Sequence, residues 1–191
     1  MPAFNRWYHC MSNTYGTWLP GDPRGFRTRN HREHVQGDYK SPPPEGKYDQ
    51  RYEYAKQSMS RDAVILTPDA RSVACEAIRV ALIDFQKIEV IAIAVSGMHL
   101  HLLARFPSAQ EPTDEIRGLR ASDPVRHFVG VAKKESAKSL TKAGLVKPGG
   151  VWAKRGKIVP IKDRKHQVNV FKYILDHERE GAAVWSFRDN A

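Results

Sequence analysis

The chain has 191 residues, of which 41% are hydrophobic and 27% charged, a balance that predicts one folded domain over 1–191 and excludes a disordered tail or a coiled-coil rod. Its formal charge is +10, and residues 131–191 hold 14 basic against 6 acidic side chains, so we predict a polyanionic partner, with a solubilising charge excess as the alternative. The sequence lacks an apolar run near the roughly 20 residues of a membrane span and an apolar signal segment, and its two isolated cysteines fit a reducing cytosol, so a cytoplasmic protein with no membrane partner is predicted.

The first predicted element is a strand over 6–15, a segment with aromatic residues, alternation and neither glycine nor proline. The chain then becomes rich in proline and glycine, which predicts a loop insertion at about 20–60. Basic and aromatic side chains interleave in this insertion, a composition typical of sites for single-stranded nucleic acid. Rings that pack on the loop's own domain would explain the same composition.

Helix and strand signals follow in the middle of the chain. Thr67 as N-cap and Pro68 at the first helical position predict the start of a helix, and apolar residues recur at helical spacing as far as Phe85. Two apolar segments, 89–96 and 99–106, predict strands that a tight turn joins into a hairpin.

The last part of the chain alternates between helix and strand. A lysine-rich helix is predicted over 125–143, short strands over 151–153 and 157–161, and a final helix over 164–180 that begins after Asp163 as its cap. This element order predicts an α+β fold of the ferredoxin-like, or RRM-like, type, with an antiparallel sheet and helices on one face.

Two histidines stand out in the second strand of the predicted hairpin. His99 and His101 are two positions apart, so both side chains project from one face while Leu100 and Leu102 point to the other. Two parallel imidazoles at this spacing can chelate one metal ion. Neighbouring histidines on a sheet surface also occur without a metal, so the pair alone does not establish a metal site.

The last predicted helix carries a second polar feature. Asn169, Tyr173 and His177 follow one another at intervals of four and so form one stripe, separate from the apolar face of the helix. If this helix crosses the sheet face that bears His99 and His101, three imidazoles and a phenol meet in one site. A solvated stripe on a surface helix is the alternative.

The HLHLL strand, the basic region after it and the late YILDH helix together resemble the single-tyrosine HUH transposases, of the insertion sequence 200 type and the REP-associated type. The family signature is histidine, a hydrophobic residue and histidine, which His99, Leu100 and His101 match. Tyr173 matches the family's nucleophilic tyrosine. His177 matches the polar metal ligand four residues later, where an amide is usual and histidine still ligates.

The resemblance extends over about 6–185. The segment TYGTWLPGDPRGF is also similar to the start of one branch of these proteins. The loop from about 26 to 60 is longer than in compact members and has no counterpart that we can assign.

The resemblance implies an HUH endonuclease core with a divalent metal, Mn²⁺ or Mg²⁺, on His99, His101 and His177. It implies that Tyr173 cuts and rejoins single-stranded DNA, beside hairpins, through a 5′-phosphotyrosine intermediate in a nucleoid-associated protein. Some members exchange the last helix in a homodimer and others work as monomers, so both assemblies stay open. Six basic residues are predicted to hold the DNA backbone: Lys154, Arg155, Lys157, Lys162, Arg164 and Lys165.

Two other functions fit the same residues. One is a domesticated relative that binds DNA hairpins without cutting them, and the other is a three-histidine metallohydrolase in which Tyr173 only binds substrate. Among the remaining side chains, His9 is predicted to be an ordinary strand histidine, with a position facing the site as the alternative. Trp18 is predicted to be an anchor for the insertion, with a base-stacking platform as the alternative. The two cysteines are predicted to be buried rather than nucleophilic.

Overall fold

The computed structural model describes residues 4–24, 44–107 and 124–190, and in these ranges the chain builds on one five-stranded antiparallel sheet. Its strands run in the order β4-β1-β3-β2-β5 and are β1 (Trp7–Asn13), β2 (Glu89–Val95), β3 (His99–Arg105), β4 (Lys157–Pro160) and β5 (Ala183–Ser186). The α-helices of the described residues are α1 (Asp49–Gln57), α2 (Pro68–Arg79), α3 (Pro124–Lys142) and α4 (Arg164–Asp176).

The sheet agrees with the predicted α+β class. The order β4-β1-β3-β2 with antiparallel pairing is compatible with a ferredoxin-like arrangement, and β5 extends the sheet beyond β2. The strand β5 was not predicted. Of the two short strands predicted after α3, the second is β4, whereas the first reduces to a single bridge between Trp152 and Thr14.

The helices α2 and α3 cover one face of the sheet. The side chain of Thr67 accepts a hydrogen bond from the backbone N–H of Ala70, so α2 begins where its cap predicts. A π-helical turn over Val80–Phe85 continues α2 to the predicted end of the apolar pattern. Leu100 and Leu102 of β3 are buried in the core beneath these helices.

The helix α4 packs on the opposite face of the sheet. Val170 and Ile174 are buried there with Trp7 and Leu103, in a second core separate from the one under α2 and α3. The prediction that the helices share one face is therefore wrong for α4. A strand buried on both faces supports two layers of helix, and β3 alternates between the two cores.

The predicted insertion at about 20–60 is only partly a loop. The polar helix α1 lies within it, and residues 25–43 lie outside the described residues. The final predicted helix is shorter than expected, because α4 ends at Asp176 and a 3₁₀ turn over His177–Glu180 leads to Gly181 in the left-handed region. In the described ranges, none of the helices combines the length and apolar character that crossing a membrane requires.

Candidate metal centre

The strand β3 places two histidines on the face that α4 covers. His99 and His101 alternate with Leu100 and Leu102, which are buried on the other face. Leu103, two positions after His101, packs in the core under α4. The same alternation that fills both cores therefore directs both imidazoles towards α4.

The helical spacing of α4 places the third histidine, His177, on the side of the helix that faces the sheet. Its buried residues are Gln167, Val170 and Ile174, and His177 at the start of the following 3₁₀ turn is buried as well. These positions succeed one another by three or four residues and so line the side of the helix that lies on the sheet. His177 was predicted to lie away from the core-facing side, and this part of the prediction is wrong.

The three predicted histidines meet. His99, His101 and His177 each offer a ring nitrogen, and these nitrogens lie within 4.8 Å of one another. The ring centroids are 4.6 Å apart for His101 and His177 and 5.3 Å apart for His99 and His177. The group could hold a metal ion, since nitrogen ligands at about 2 Å from one ion lie within such mutual distances.

Hydrogen bonds in the cluster favour a metal-binding form of the rings. Nδ1 of His177 lies 2.8 Å from the carbonyl oxygen of Tyr173, and since a carbonyl only accepts, Nδ1 carries the proton and Nε2 keeps a lone pair. Nε2 of His99 is buried and has no hydrogen-bond partner among the residues that the structure describes. A buried polar atom left unpaired is costly, so an unpaired nitrogen facing two other imidazoles fits a ligand position.

A fourth histidine, His9, joins the cluster from β1. Its Nε2 lies 3.0 Å from Nδ1 of His101, and both side chains are buried. The sequence analysis favoured an ordinary strand histidine over one that faces the site. His9 and His101 are 92 positions apart, and only the register of β1 against β3, with Met11 opposite His101, places them diagonally on one face.

The rings of His9, His99 and His101 are held in the neutral form. Burial, and then repulsion from the neighbouring histidines, lower the pKa of His101 to about 2. Burial and nearby positive groups lower the pKa of His9 to about 4, and burial together with His177 lowers the pKa of His99. Neutral imidazole is the species that binds metal ions.

Tyr173 lies between this cluster and solvent. It is 50% exposed, and its ring centroid lies 4.7 Å from that of His177 and 5.2 Å from that of His101. Burial, and then the charge of Glu180, raise the pKa of Tyr173, so the phenol keeps its proton at neutral pH. The residue is thus accessible to a large substrate while its ring contacts the histidines.

One of the predicted DNA-binding residues, Lys157, shares this sheet face. Lys157 in the edge strand β4 lies opposite Met11 in β1, which in turn lies opposite His101, so the three side chains share a face. All six predicted residues are exposed, in the loop before β4, on β4, in the connection from β4 to α4 and at the start of α4: Lys154, Arg155, Lys157, Lys162, Arg164 and Lys165.

The structure also describes the tryptophan and the cysteines that the sequence analysis named. Trp18 is 47% exposed, with the Arg24 guanidinium carbon 5.3 Å from its ring centroid, and its role as an anchor for the insertion stays a prediction. Cys10 and Cys75 are buried free thiols, as predicted. Burial raises the pKa of Cys75 to about 12, which makes it a poor nucleophile.

Comparisons of the chain with known protein families, with curated proteins and with solved structures returned no match.

Proposed function

We propose that the chain is a metal-dependent endonuclease and strand transferase that cuts and rejoins single-stranded DNA through Tyr173. The observation that carries this proposal is a half-exposed tyrosine whose ring packs against a buried cluster of three histidines able to hold a metal ion. The family resemblance of the sequence motifs supports the same chemistry.

In this reaction the three histidines would hold the metal ion and Tyr173 is the nucleophile. A divalent ion held by His99, His101 and His177 would neutralise and polarise the anionic phosphodiester, which otherwise repels nucleophiles. The hydroxyl oxygen of Tyr173 attacks phosphorus and gives up its proton as the new bond from this oxygen to phosphorus forms. The bond from phosphorus to the 3′ oxygen breaks, and this oxygen takes up one proton in exchange. The products are a 5′-phosphotyrosine and a 3′ hydroxyl, and the reverse attack rejoins the strand without an external energy source.

The exposed basic border serves to hold the substrate. Lys157 lies on β4, on the side of the sheet that carries His101, and Lys154 and Arg155 lie in the exposed loop before β4. Contacts from lysine and arginine to phosphates are independent of base sequence and position the strand rather than read it. We assign them to the backbone on one side of the scissile phosphate.

The test is a denaturing gel with the whole chain. Labelled single-stranded hairpin oligonucleotides are incubated with the protein and Mn²⁺, beside Tyr173→Phe and beside a matched control, Tyr54→Phe, an exposed tyrosine on α1. We expect a labelled, protein-sized adduct with the wild type and the control and none with Tyr173→Phe.

Two outcomes would contradict the proposal. Cleavage without an adduct that survives Tyr173→Phe would mean that water is the nucleophile, as in a three-histidine metallohydrolase. Binding of hairpins with neither cleavage nor adduct would mean a DNA-binding protein that does not cut.

A further inference from the structure

The contact between His9 and His101 has a chemical consequence for the metal site. His9 lies in β1 between β4 and β3, is 7% exposed, and reaches His101 with its Nε2 at 3.0 Å from Nδ1. The group of nitrogens that could hold an ion belongs to His99, His101 and His177. His9 therefore contacts one ring nitrogen of a predicted ligand, Nδ1 of His101, and leaves the other ring nitrogen, Nε2, for an ion.

Only one arrangement of protons lets His101 bind a metal in this contact. A hydrogen bond between two neutral imidazoles requires one N–H donor and one lone pair. If Nδ1 of His101 accepts, its Nε2 carries the proton and the residue has no lone pair left for an ion. If Nδ1 of His101 donates, Nε2 is free to ligate. Nδ1 of His177 donates to the carbonyl of Tyr173 in the same way.

We propose that His9 is a positioning residue: its Nε2 accepts the Nδ1 proton of His101 and so fixes His101 as an Nε2 ligand. Outer partners of this kind set the tautomer and orientation of ligating histidines, and their loss typically costs 10- to 100-fold in metal affinity. The inference rests on the metal site of the proposed function but not on strand cleavage.

A histidine suits this position better than a carboxylate or a backbone carbonyl. The site lies in the interior of a sheet, where a lone carboxylate would be expensive to bury and each strand carbonyl already belongs to the ladder. A neutral imidazole accepts one proton without adding charge. It is also long enough to reach diagonally from β1 to the next strand.

The first experiment measures Mn²⁺ affinity by titration calorimetry on the full chain. His9→Leu removes the acceptor, His9→Gln keeps an acceptor oxygen at a similar distance, and Met11→Leu is the control, a neighbour of the same face of β1 opposite His101. We expect a 10- to 100-fold loss for His9→Leu. For His9→Gln we expect a much smaller loss, and for Met11→Leu none.

The second experiment needs no variant and so does not depend on how His9→Leu folds. Nitrogen-15 NMR of the histidine rings in the metal-free wild type reports which nitrogen of His101 carries the proton. We expect the proton on Nδ1, hydrogen-bonded to His9. A proton on Nε2 of His101 would overturn the proposal, as would wild-type Mn²⁺ affinity in His9→Leu.

The two proposals fail separately. If the phosphotyrosine adduct forms and depends on Mn²⁺ while His9→Leu binds Mn²⁺ like the wild type, the role of His9 is lost and the proposed function stands. If the adduct is absent but His9→Leu alone loses Mn²⁺ affinity, the role of His9 stands and strand cleavage is lost. A wild-type chain that binds no Mn²⁺ overturns both the role of His9 and the metal requirement.

Discussion

Tyr173 and His177 are one helical turn apart but differ in their surroundings. Tyr173 is half exposed, whereas His177 is buried against the sheet. The site therefore consists of a recessed set of nitrogen atoms with a hydroxyl at its entrance. A strand of DNA can reach the hydroxyl from solvent while the histidines stay enclosed, so the chemistry we propose requires no opening of α4.

The donor set leads to a prediction about the metal. Three imidazoles form a softer set than the oxygen ligands that Mg²⁺ prefers. We expect Mn²⁺ to bind more tightly and to support more cleavage than Mg²⁺ at the same concentration. Calorimetric titration of each ion and the denaturing gel measure the two quantities. Equal or faster cleavage in Mg²⁺ would contradict an all-histidine site.

The individual histidines could be predicted to different degrees. The alternation of His99 and His101 and the spacing of His177 from Tyr173 are local properties, and local periodicity is readable from sequence. The contact of His9 with His101 is not a local property, since it depends on the register between two strands that are distant along the chain. A single histidine in a strand carries no signal of such a partner.

At the scale of elements, the strong local signals were reliable and the weak ones were not. The helix α2 begins at its predicted cap, and β2 and β3 form the predicted hairpin. The helix α1 contains no buried residue, so it lacks the apolar periodicity that marks a helix. The strand β5 has only four residues, too few for alternation to be recognised.

The placement of α4 could not be predicted from its own sequence. Val168, Phe171, Ile174 and Leu175 look like an apolar face, but Val170 and Ile174 are the apolar residues that become buried. Phe171 packs beside the core and lies with its ring against Phe187 of the last 3₁₀ turn. Which stripe is buried depends on the groove that the sheet offers, and this is a tertiary property.

The turn that follows β1 is held by an ion pair with a testable pH dependence. Asp22 is buried, and it accepts hydrogen bonds from the backbone N–H and Nε of Arg24 at 3.0 and 2.9 Å. Burial by itself would raise the pKa of Asp22, but the hydrogen bonds and charge of Arg24 outweigh it and hold the pKa below its ordinary value.

We expect Arg24→Ala to lower the free energy of unfolding by on the order of 2 kcal/mol at pH 7, because it leaves a buried carboxylate unpaired and Arg24 itself is partly exposed. A lowered pKa contributes stability above the ordinary pKa of about 4 and loses it as pH falls through the lowered value. The difference between the two proteins should therefore shrink below about pH 4. Urea unfolding from pH 7 to pH 3 measures it, and a difference independent of pH would contradict this role.

At the scale of the whole molecule, the two faces of the sheet have different tasks. One face is sealed by α2 and α3 over a large apolar core, and the other carries a smaller core beside the histidines under α4 alone. The exposed cations of β4 and the start of α4 border this second face. The larger core and the chemistry that we propose thus lie on opposite sides of the same strands.

This asymmetry predicts a localised salt dependence of DNA binding. Each lysine or arginine that contacts a phosphate contributes about 0.7 to the slope of log affinity against log salt for a single strand. The double variant Lys157→Gln, Lys165→Gln, one change on β4 and one at the start of α4, should lower the slope by about 1.4, measured by fluorescence anisotropy between 50 and 200 mM salt. Lys87→Gln is the control, because Lys87 precedes β2 at the end of the sheet away from His99. An equal effect of both variants would mean a diffuse charge effect.

The histidine cluster joins parts of the chain that are far apart in sequence. His99 and His101 belong to the central hairpin, whereas His177 comes from the far end of the last helix. An ion shared by these rings would act as a reversible cross-link that exists only in the folded chain, and an ion at 100 times its dissociation constant adds about 2.7 kcal/mol to the folding free energy. Bound metal would then raise the melting temperature of the chain. A chelator would weaken the packing of α4 on the sheet before it disturbs the core under α2 and α3.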